Sequence, residues 1–130
     1  MNEQIIHQIL TKHWGYSTFR SLQQEIIMSV LSGNDTLALL PTGGGKSLCF
    51  QVPAMAQEGI CIVVTPLIAL MKDQVENLQK KNIPAVAVIS GMSRNEIDIH
   101  LTTVFMAKKN FCTFLQSDCH PNFLLSVFII

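Results

Sequence analysis

Hydrophobic residues recur along the chain with two different spacings, and each spacing predicts one type of element. Apolar residues at helical spacing predict a first helix that Gly15 ends and a second helix that starts near Ser21 and stops at Gly33. The positions expected to face inward are Ile5, Ile6, Ile9 and Leu10 in the first helix and Ile26, Ile27, Val30 and Leu31 in the second. Runs of consecutive apolar residues instead predict three buried strands: "TLALL" (36–40), "ICIVVT" (60–65) and "AVAVI" (85–89).

Helices are also predicted after each of these strands. One starts at Lys46 and should fray at Pro53, because proline cannot donate the helical hydrogen bond. Pro66 opens the next helix, and Ser93 with Glu96 forms a capping-box pattern for the last. The alternation of strands and helices with short links predicts an α/β domain with a parallel sheet flanked by helices.

Residues 102–130 depart from this pattern. The segment has neither a clear period nor turn residues, and it is apolar where a surface should be polar. We therefore divide the chain into an ordered α/β part, residues 1–101, and an aberrant hydrophobic tail, residues 102–130. If the tail adds an element to the sheet, "FLLSVFII" (123–130) is the segment expected to form it.

Composition agrees with a buried sheet. Of the 130 residues, 48% are hydrophobic and only 14% are charged, which favours a parallel sheet covered on both faces. The formal net charge is zero, so overall charge does not indicate a nucleic-acid partner, and any DNA contact must come from local geometry. No pattern in the sequence indicates an oligomeric state.

The cysteines and the chain ends predict a compartment. Cys49, Cys61, Cys112 and Cys119 form no CxxC pair and have no metal-ligand spacing with the histidines, which favours reduced intracellular thiols over zinc ligands. "MNEQIIHQIL" lacks the basic region and long apolar core of a signal peptide, and "FLLSVFII" is too short to span a bilayer. These features predict a cytoplasmic protein without a membrane partner.

The stretch "LLPTGGGKSLCFQ" (39–51) has the composition of a phosphate-binding loop. Glycines let several backbone N–H groups approach a phosphate, and the helix that follows adds its N-terminal dipole. Lys46 is placed to reach the β- and γ-phosphates, and the Ser47 hydroxyl to ligate Mg²⁺. Leu40 stands where the general pattern has its first glycine, and the weaker alternative is a glycine turn that only caps a helix.

Three stretches together resemble the N-terminal end of a RecQ-family DNA helicase, and the resemblance covers roughly residues 1–101. They are "WGYSTFRSLQQEII" (14–27), "LLPTGGGKSLCFQVPA" (39–54) and "TPLIALMKDQV" (65–75). "PTGGGKS" resembles the helicase form of the phosphate loop, in which the first glycine is absent. The resemblance implies part of a RecA-like P-loop domain, with ATP and Mg²⁺ as cofactors. It also implies single-stranded or forked DNA as partner and 3′-to-5′ DNA unwinding in recombination and repair as function.

The resemblance also implies roles for individual residues in nucleotide binding. Tyr16 and Arg20 would sandwich the adenine and Gln23 would hydrogen-bond its edge, roles that their chemistry suits. The alternative is that Tyr16 and Phe19 are core aromatics at the entry to a helix. The residues implied to surround the phosphates are Pro41, Thr42, Gly43, Gly44, Gly45, Lys46 and Ser47, with Ser47 as the Mg²⁺ ligand and Lys46 as the candidate catalytic residue.

"TPLIALMKDQV" resembles the segment that contacts the DNA backbone in such helicases. Thr65, Pro66 and Leu67 lead into a helix whose first N–H groups would hold a phosphate, with Lys72 adding positive charge. The alternative is an amphipathic helix that presents Lys72 and Asp73 to solvent. "SGM" (90–92) occupies a second position where these helicases meet single-stranded DNA.

ATP hydrolysis requires acidic residues that this sequence does not contain. One carboxylate holds Mg²⁺ and a second positions the attacking water, and in this family a DEAH-type motif supplies both. Asp118 is the only acidic residue after Asp98. We therefore expect the chain to bind ATP without hydrolysing it alone. The alternatives are a non-catalytic nucleotide-binding remnant of the helicase or, from another class, a small P-loop kinase.

A change of reading frame would account for the tail. From Thr103 onward, the last base of each codon can be read together with the first two bases of the next codon. With permitted codon choices, this shifted frame encodes the peptide CVYGKKKFLYVSPERL. Its glycine, from Met106 and Ala107, is forced whatever codons are used, and "FLYVSPERL" resembles a RecQ strand and loop. We infer, as a hypothesis, a one-base frameshift near residue 102. Resequencing tests it: an uninterrupted frame with no helicase codons in the neighbouring frame would contradict it.

Overall fold

The chain combines helices and strands, as the predicted α/β class requires. A computed structural model describes residues 3–41, 45–65, 67–107, 111–116 and 127–129. The chain divides into two compact units, Met1–Glu58 and Gly59–Ile129. Within the described residues, no helix is both long enough and apolar enough to cross a membrane.

Three helices form the first unit: α1 (Glu3–Trp14), α2 (Gln23–Leu31) and α3 (Leu48–Ala56). One residue from each helix, Ile6, Ile27 and Val52, is completely buried and forms the centre of a hydrophobic cluster. Partly buried apolar side chains surround this centre: Ile9, Trp14, Phe19, Met28, Leu31 and Leu48. The helical spacing read from the sequence therefore locates the inward face of α2 and, through Ile6, Ile9 and Leu10, that of α1, but the expectation for Ile5 is wrong, because its side chain is 41% exposed.

Left-handed glycines end the first two helices, as predicted. Gly15 has φ +73°, and its N–H donates to the Thr11 carbonyl at 3.0 Å. Gly33 has φ +80°, and its N–H donates to the Val30 carbonyl at 2.9 Å. Glycine adopts this conformation without the steric penalty that a Cβ atom brings. Helix α2 begins slightly later than predicted, because the residue before it, Leu22, is itself left-handed with φ 68°.

The predicted strand at residues 36–40 is wrong. These residues form no strand, and the side chains of Leu37 and Leu39 are 77% and 76% exposed. A short apolar run becomes a strand only when a neighbouring strand pairs with it, and that pairing is not encoded locally. The segment instead begins with Thr36, whose hydroxyl is hydrogen-bonded to that of Ser29 at 2.8 Å.

The predicted limits of the third helix also need correction. Helix α3 starts at Leu48 rather than Lys46, and it passes through Pro53 to end at Ala56. Proline removes one hydrogen bond from a helix interior and strains the preceding turn. Here Pro53 and five of its neighbours in α3 are buried, so tertiary packing outweighs the local preference against helix.

The second unit is a four-stranded sheet with two helices. Its elements are β1 (Ile60–Thr65), α4 (Ile68–Lys80), β2 (Ala85–Val88), α5 (Arg94–Ala107), β3 (Phe111–Gln116) and β4 (Val127–Ile129). The strand order is β2-β3-β1-β4. Strand β3 runs parallel to both β1 and β2, whereas β4 pairs antiparallel with β1. The sheet is therefore mixed rather than wholly parallel as predicted, because β4 is antiparallel to β1. One of its two inner strands, β3, lies in the segment that the sequence pattern assigned to the tail.

Both helices of this unit have well-formed ends. The N–H of Ile83 donates to the Leu78 carbonyl at 3.0 Å, and Asn82 between them is left-handed with φ 58°, which closes α4 with a Schellman motif. The predicted capping box opens α5. Glu96 accepts a hydrogen bond from the Ser93 N–H at 2.7 Å, and the Ser93 hydroxyl accepts one from the Glu96 N–H at 3.2 Å. Helix α5 continues past residue 101 to Ala107.

Candidate nucleotide-binding site

The end of the glycine loop is wound into a tight turn before α3. Gly45 has φ +74°, and its carbonyl accepts a hydrogen bond from the Leu48 N–H at 3.2 Å. The Lys46 side chain is exposed and Ser47 is half-buried. Ser47 occupies the N-cap position with helical angles (φ −62°, ψ −36°) and makes no side-chain capping bond, so its hydroxyl is not used to close the helix. Pro41 is exposed, and Thr42, Gly43 and Gly44 lie outside the described residues.

Gln23 connects the start of α2 to this loop. Its side chain is 1% exposed. The Oε1 atom accepts a hydrogen bond from the Arg20 N–H at 2.8 Å, and the Nε2 atom donates to the Gly45 carbonyl at 3.1 Å. One buried amide therefore fixes both the turn that precedes α2 and the last glycine of the loop.

Gly45 cannot be replaced by another residue without disturbing Gln23. A Cβ atom at Gly45 would collide with Nε2 of Gln23, and a φ of +74° is in any case unfavourable for residues with a side chain. Gly15 and Gly33 have similar φ values, but a Cβ atom added at either position would meet nothing within 4 Å. Close approach to the Gln23 amide thus distinguishes Gly45 from the two helix-ending glycines.

The two residues predicted to hold the adenine ring are both exposed. Tyr16 is 55% exposed, and its carbonyl accepts a hydrogen bond from the Thr11 hydroxyl at 3.1 Å. Arg20 borders an open cavity of about 480 Å³. Its lining residues are Glu3, Phe19, Arg20, Ser21, Leu22, Gln24, Glu25 and Met28, so neither Tyr16 nor Gln23 lines the same cavity. The structure brings Gln23 to the loop, and the roles of Tyr16 and Arg20 at the adenine stay predictions.

Of the two aromatic residues that could instead belong to the core, Tyr16 and Phe19, only Phe19 does so. Phe19 is partly buried against the core of the first unit, and its ring meets the His7 ring edge-on at 5.0 Å between centroids. The His7 ring also hydrogen-bonds Oε1 of Gln24 at 3.2 Å. Phe19 is therefore a core aromatic, whereas the exposure of Tyr16 leaves its ring available for stacking.

Sequence reasoning missed the position of Cys49 beside the loop. Its thiol is buried and lies 4.0 Å from the Gly45 carbonyl oxygen. Burial raises the pKa of this thiol from the ordinary 9.0 to about 11, because the thiolate would lose its hydration. The four-residue spacing from Gly45 to Cys49 is the signal that could have predicted this contact.

The residues predicted to touch DNA lie in the second unit, around the start of α4. Thr65, the last residue of β1, is 4% exposed. Leu67 is the N-cap residue, with extended angles (φ −101°, ψ 104°) and 40% exposure, and Lys72 is exposed. Pro66 lies outside the described residues. A separate turn, in which Gly91 has φ +90°, contains the second predicted contact, residues 90–92.

The described residues contain no group of three or more His, Cys, Asp or Glu side chains arranged to hold a metal ion. Mg²⁺ is commonly bound by one or two protein oxygens together with nucleotide phosphates and waters. The Ser47 hydroxyl, which is not used for capping, fits that mode of binding. A dedicated cage of protein ligands is not present in this part of the chain.

Comparison with known proteins identifies the family. A sequence model of the DEAD/DEAH box helicase family matches residues 20–119, which include the end of the glycine loop, the start of α4 and part of the tail. The chain therefore belongs to the DEAD/DEAH box helicase family.

Within that family, RecQ-type helicases are among its relatives. It is 48% identical over 95 residues to the ATP-dependent DNA helicase RecQ of Synechocystis sp., an alignment that covers 73% of this chain and 20% of that protein. It is 45% identical over 87 residues to the probable ATP-dependent DNA helicase RecS of Bacillus subtilis, an alignment that covers 67% of this chain and 18% of that protein. It is 44% identical over 94 residues to the ATP-dependent DNA helicase hus2/rqh1 of Schizosaccharomyces pombe, and that alignment covers 69% of this chain and 7% of that protein. The chain thus spans a fifth or less of the length of these relatives.

Proposed function

We propose that this chain carries the ATP-binding part of a RecQ-type, ATP-dependent 3′-to-5′ DNA helicase, built on a partial RecA-like P-loop domain. In this proposal Lys46 contacts the β- and γ-phosphates, while backbone N–H groups of residues 42–47 surround them. Pro41 and Thr42 lead into this cradle. Tyr16 and Arg20 stack on the adenine, and Gln23 hydrogen-bonds its edge.

The hydrogen bond between Gln23 and Gly45 is the observation that carries the proposal. It joins the residue assigned to the base directly to the loop assigned to the phosphates, at 3.1 Å, and it is buried at the Gln23 end. A buried amide is placed more accurately than an exposed one, because packing and two hydrogen bonds restrict its rotation. To read an adenine edge as well, Gln23 would share or exchange these bonds, since an amide offers two N–H groups and two acceptor sites.

Magnesium would be held at Ser47. When bound, Mg²⁺ neutralises phosphate charge and fixes the phosphate geometry. The Ser47 hydroxyl would supply one oxygen ligand, the nucleotide others and water the remainder. Lys46 would add its charge from the exposed side of the turn.

DNA would be held at the start of α4 in the second unit. The N-cap residue Leu67 makes no side-chain capping bond, and in this proposal the first N–H groups of α4 bind a backbone phosphate. Lys72 would contribute positive charge, and Thr65 and Pro66 would orient the chain as it enters the helix. Such contacts hold the strand without reading its sequence.

The 130 residues by themselves are proposed to bind ATP and not to turn it over. Hydrolysis needs a carboxylate for the metal and a group that positions the attacking water. Asp118 is the only acidic residue after Asp98, which supports binding without turnover. Unwinding would then require parts that the RecQ-type relatives carry in the remainder of their length.

A titration with ATP and with single-stranded DNA tests the proposal. We expect saturable, Mg²⁺-dependent ATP binding that the substitution Lys46→Ala weakens by at least roughly tenfold, since one charged contact is worth about 1.5–3 kcal/mol. Arg94→Ala, which removes an exposed cation at the start of α5, serves as the charge-matched control and should leave ATP binding unchanged. ATP binding that Lys46→Ala does not alter would contradict the proposed site.

A further inference from the structure

Helix α3 contains one amide side chain in an otherwise apolar setting. Six consecutive residues of this helix are buried: Cys49, Phe50, Gln51, Val52, Pro53 and Ala54. Gln51 is 6% exposed, and its neighbours on either side are completely or almost completely buried. A core position of this kind is normally filled by an apolar residue, because a buried amide needs hydrogen-bond partners.

The Gln51 amide has no hydrogen-bond partner among the described residues, yet it is not sealed from solvent. Among the described residues, Oε1 of Gln74 is the one side-chain N or O atom that is fully buried and has no hydrogen-bond partner. The amide atoms of Gln51 do not belong to this class, so they are in contact with solvent. With 6% of its surface exposed, Gln51 keeps limited access to solvent. A polar group held there can bond to something that arrives from solvent.

Helix geometry directs this amide toward the phosphate loop. Gln51 follows Ser47 by four residues, and its N–H donates to the Ser47 carbonyl at 3.0 Å, so both side chains lie on one face of the helix. Side chains in a helix lean toward its N-terminus and cover the preceding turn. On this geometry we expect the Gln51 amide to lean over the turn that contains Ser47.

We infer that Gln51 is a positioning residue for the magnesium ion that accompanies the nucleotide, and that its amide oxygen accepts a hydrogen bond from a water bound to that ion. This inference rests on the proposed ATP site at Lys46 and Ser47. Mg²⁺ keeps several of its waters when it binds protein, and those waters need acceptors. Such outer partners commonly change metal affinity by 10- to 100-fold.

The experiment compares ATP affinity with Mg²⁺ and with EDTA, using the full chain and calorimetric titration. Gln51→Met removes the amide while keeping a side chain of similar size. We expect its ATP affinity to fall about tenfold in Mg²⁺ and to equal that of the parent chain in EDTA, because the lost contact acts through the metal. Gln8→Met, at an exposed glutamine of α1, is the matched control and should change neither value.

Several outcomes would overturn the inference. One is that Gln51→Met binds ATP as tightly as the parent both in Mg²⁺ and in EDTA. Another is that its ATP affinity falls by the same factor in both conditions. If Gln51→Met fails to fold, as judged by thermal melting, Gln51→Glu decides. A carboxylate can still accept a bond from a metal-bound water, so we expect binding at least as tight as the parent in Mg²⁺ and weaker binding in EDTA. Equal losses in both conditions would contradict the inference.

Failure of the proposed function gives a different result. In that case the parent chain would not bind ATP, or Lys46→Ala would bind as well as the parent. Either result overturns the ATP site and, with it, the role given to Gln51. Lys46-dependent binding that Gln51→Met leaves untouched overturns the role of Gln51 alone.

Discussion

The amide nitrogen of Gln23 donates a hydrogen bond to the Gly45 carbonyl oxygen at 3.1 Å, across 22 positions of sequence. The bond is buried at the Gln23 end, where the side chain is 1% exposed. It joins the turn before α2 to the loop before α3, and these are the two segments assigned to the base and the phosphates of ATP. The arrangement of the proposed site therefore depends on a contact between two residues that are distant in sequence.

Replacing Gly45 by alanine should disturb this contact. At Gly33, alanine is expected to destabilise the fold by about 1–2 kcal/mol, because the left-handed backbone disfavours a Cβ atom. Gly45→Ala should cost roughly 1–3 kcal/mol more, since it also displaces the Gln23 amide from its buried bonds. Urea unfolding of the two variants measures the difference. Equal losses in the free energy of unfolding for Gly33→Ala and Gly45→Ala would contradict this prediction, because they would mean that Gln23 moves aside without an energetic cost.

The capping box of α5 should make stability depend on acid pH. The Ser93 N–H holds the pKa of the Glu96 carboxyl below its ordinary value, and the Ser93 hydroxyl and His100 lower it further. Because folding lowers this pKa, the ionised Glu96 carboxylate stabilises the fold fully above pH 4.5. This contribution is lost as the pH falls through the folded-state pKa. Glu96→Gln should therefore lose less stability than the parent between pH 4.5 and pH 3, measured by urea unfolding.

Asp98→Asn is the control for this experiment, because it removes a neighbouring carboxyl of α5 that is not part of the capping box. It should keep the steep acid loss of the parent. If Glu96→Gln and the parent lose stability equally over this range, the capping carboxylate does not contribute as described.

Cys49 should remain protonated in the folded chain under mildly alkaline conditions. Burial raises the pKa of its thiol to about 11, whereas the unfolded chain releases this proton near 9.0. The stabilisation from the neutral thiol is therefore complete below pH 9 and declines as pH rises toward about 11. Cys49→Ala should show a shallower loss of stability over that interval. Identical slopes for the variant and the parent would contradict the burial of this thiol beside Gly45.

The tail is expected to hold the sheet of the second unit together. Strand β3 pairs with β1 on one side and with β2 on the other. A chain that ends after Ala107 should therefore lose the strand signal in circular dichroism, because β1 and β2 would have no partner between them. A chain that ends after Gln116 removes β4 alone and should retain most of that signal. Equal spectra for both truncated chains and the parent would contradict the observed strand order.

The sequence predicted the elements that depend on local signals. Gly15 and Gly33 end helices, Ser93 and Glu96 open α5, and the β-branched run at residues 60–65 forms β1, all as expected. These features are encoded within a few residues, through backbone conformation, capping bonds or alternation of burial. Local reasoning was sufficient for them.

The features that depend on distant contacts were not predicted. Residues 36–40 are apolar enough for a strand, but exposed Leu37 and Leu39 show that no partner covers them in the first unit. The segment at residues 111–116 lacked a clear pattern, yet it forms an inner strand of the sheet, because its pairing with β1 and β2 decides its structure. At the site, the bond from Gln23 to Gly45 likewise joins segments that no sequence spacing connects.

ATP binding and phosphate release by the purified 130-residue chain test the central claim most directly. Both are measured with Mg²⁺, in the presence and absence of single-stranded DNA, for the parent and for Lys46→Ala. The proposed function predicts saturable ATP binding by the parent, loss of that binding in Lys46→Ala, and no phosphate release from either. Phosphate release by the parent that single-stranded DNA stimulates, or ATP binding that does not depend on Lys46, would contradict it.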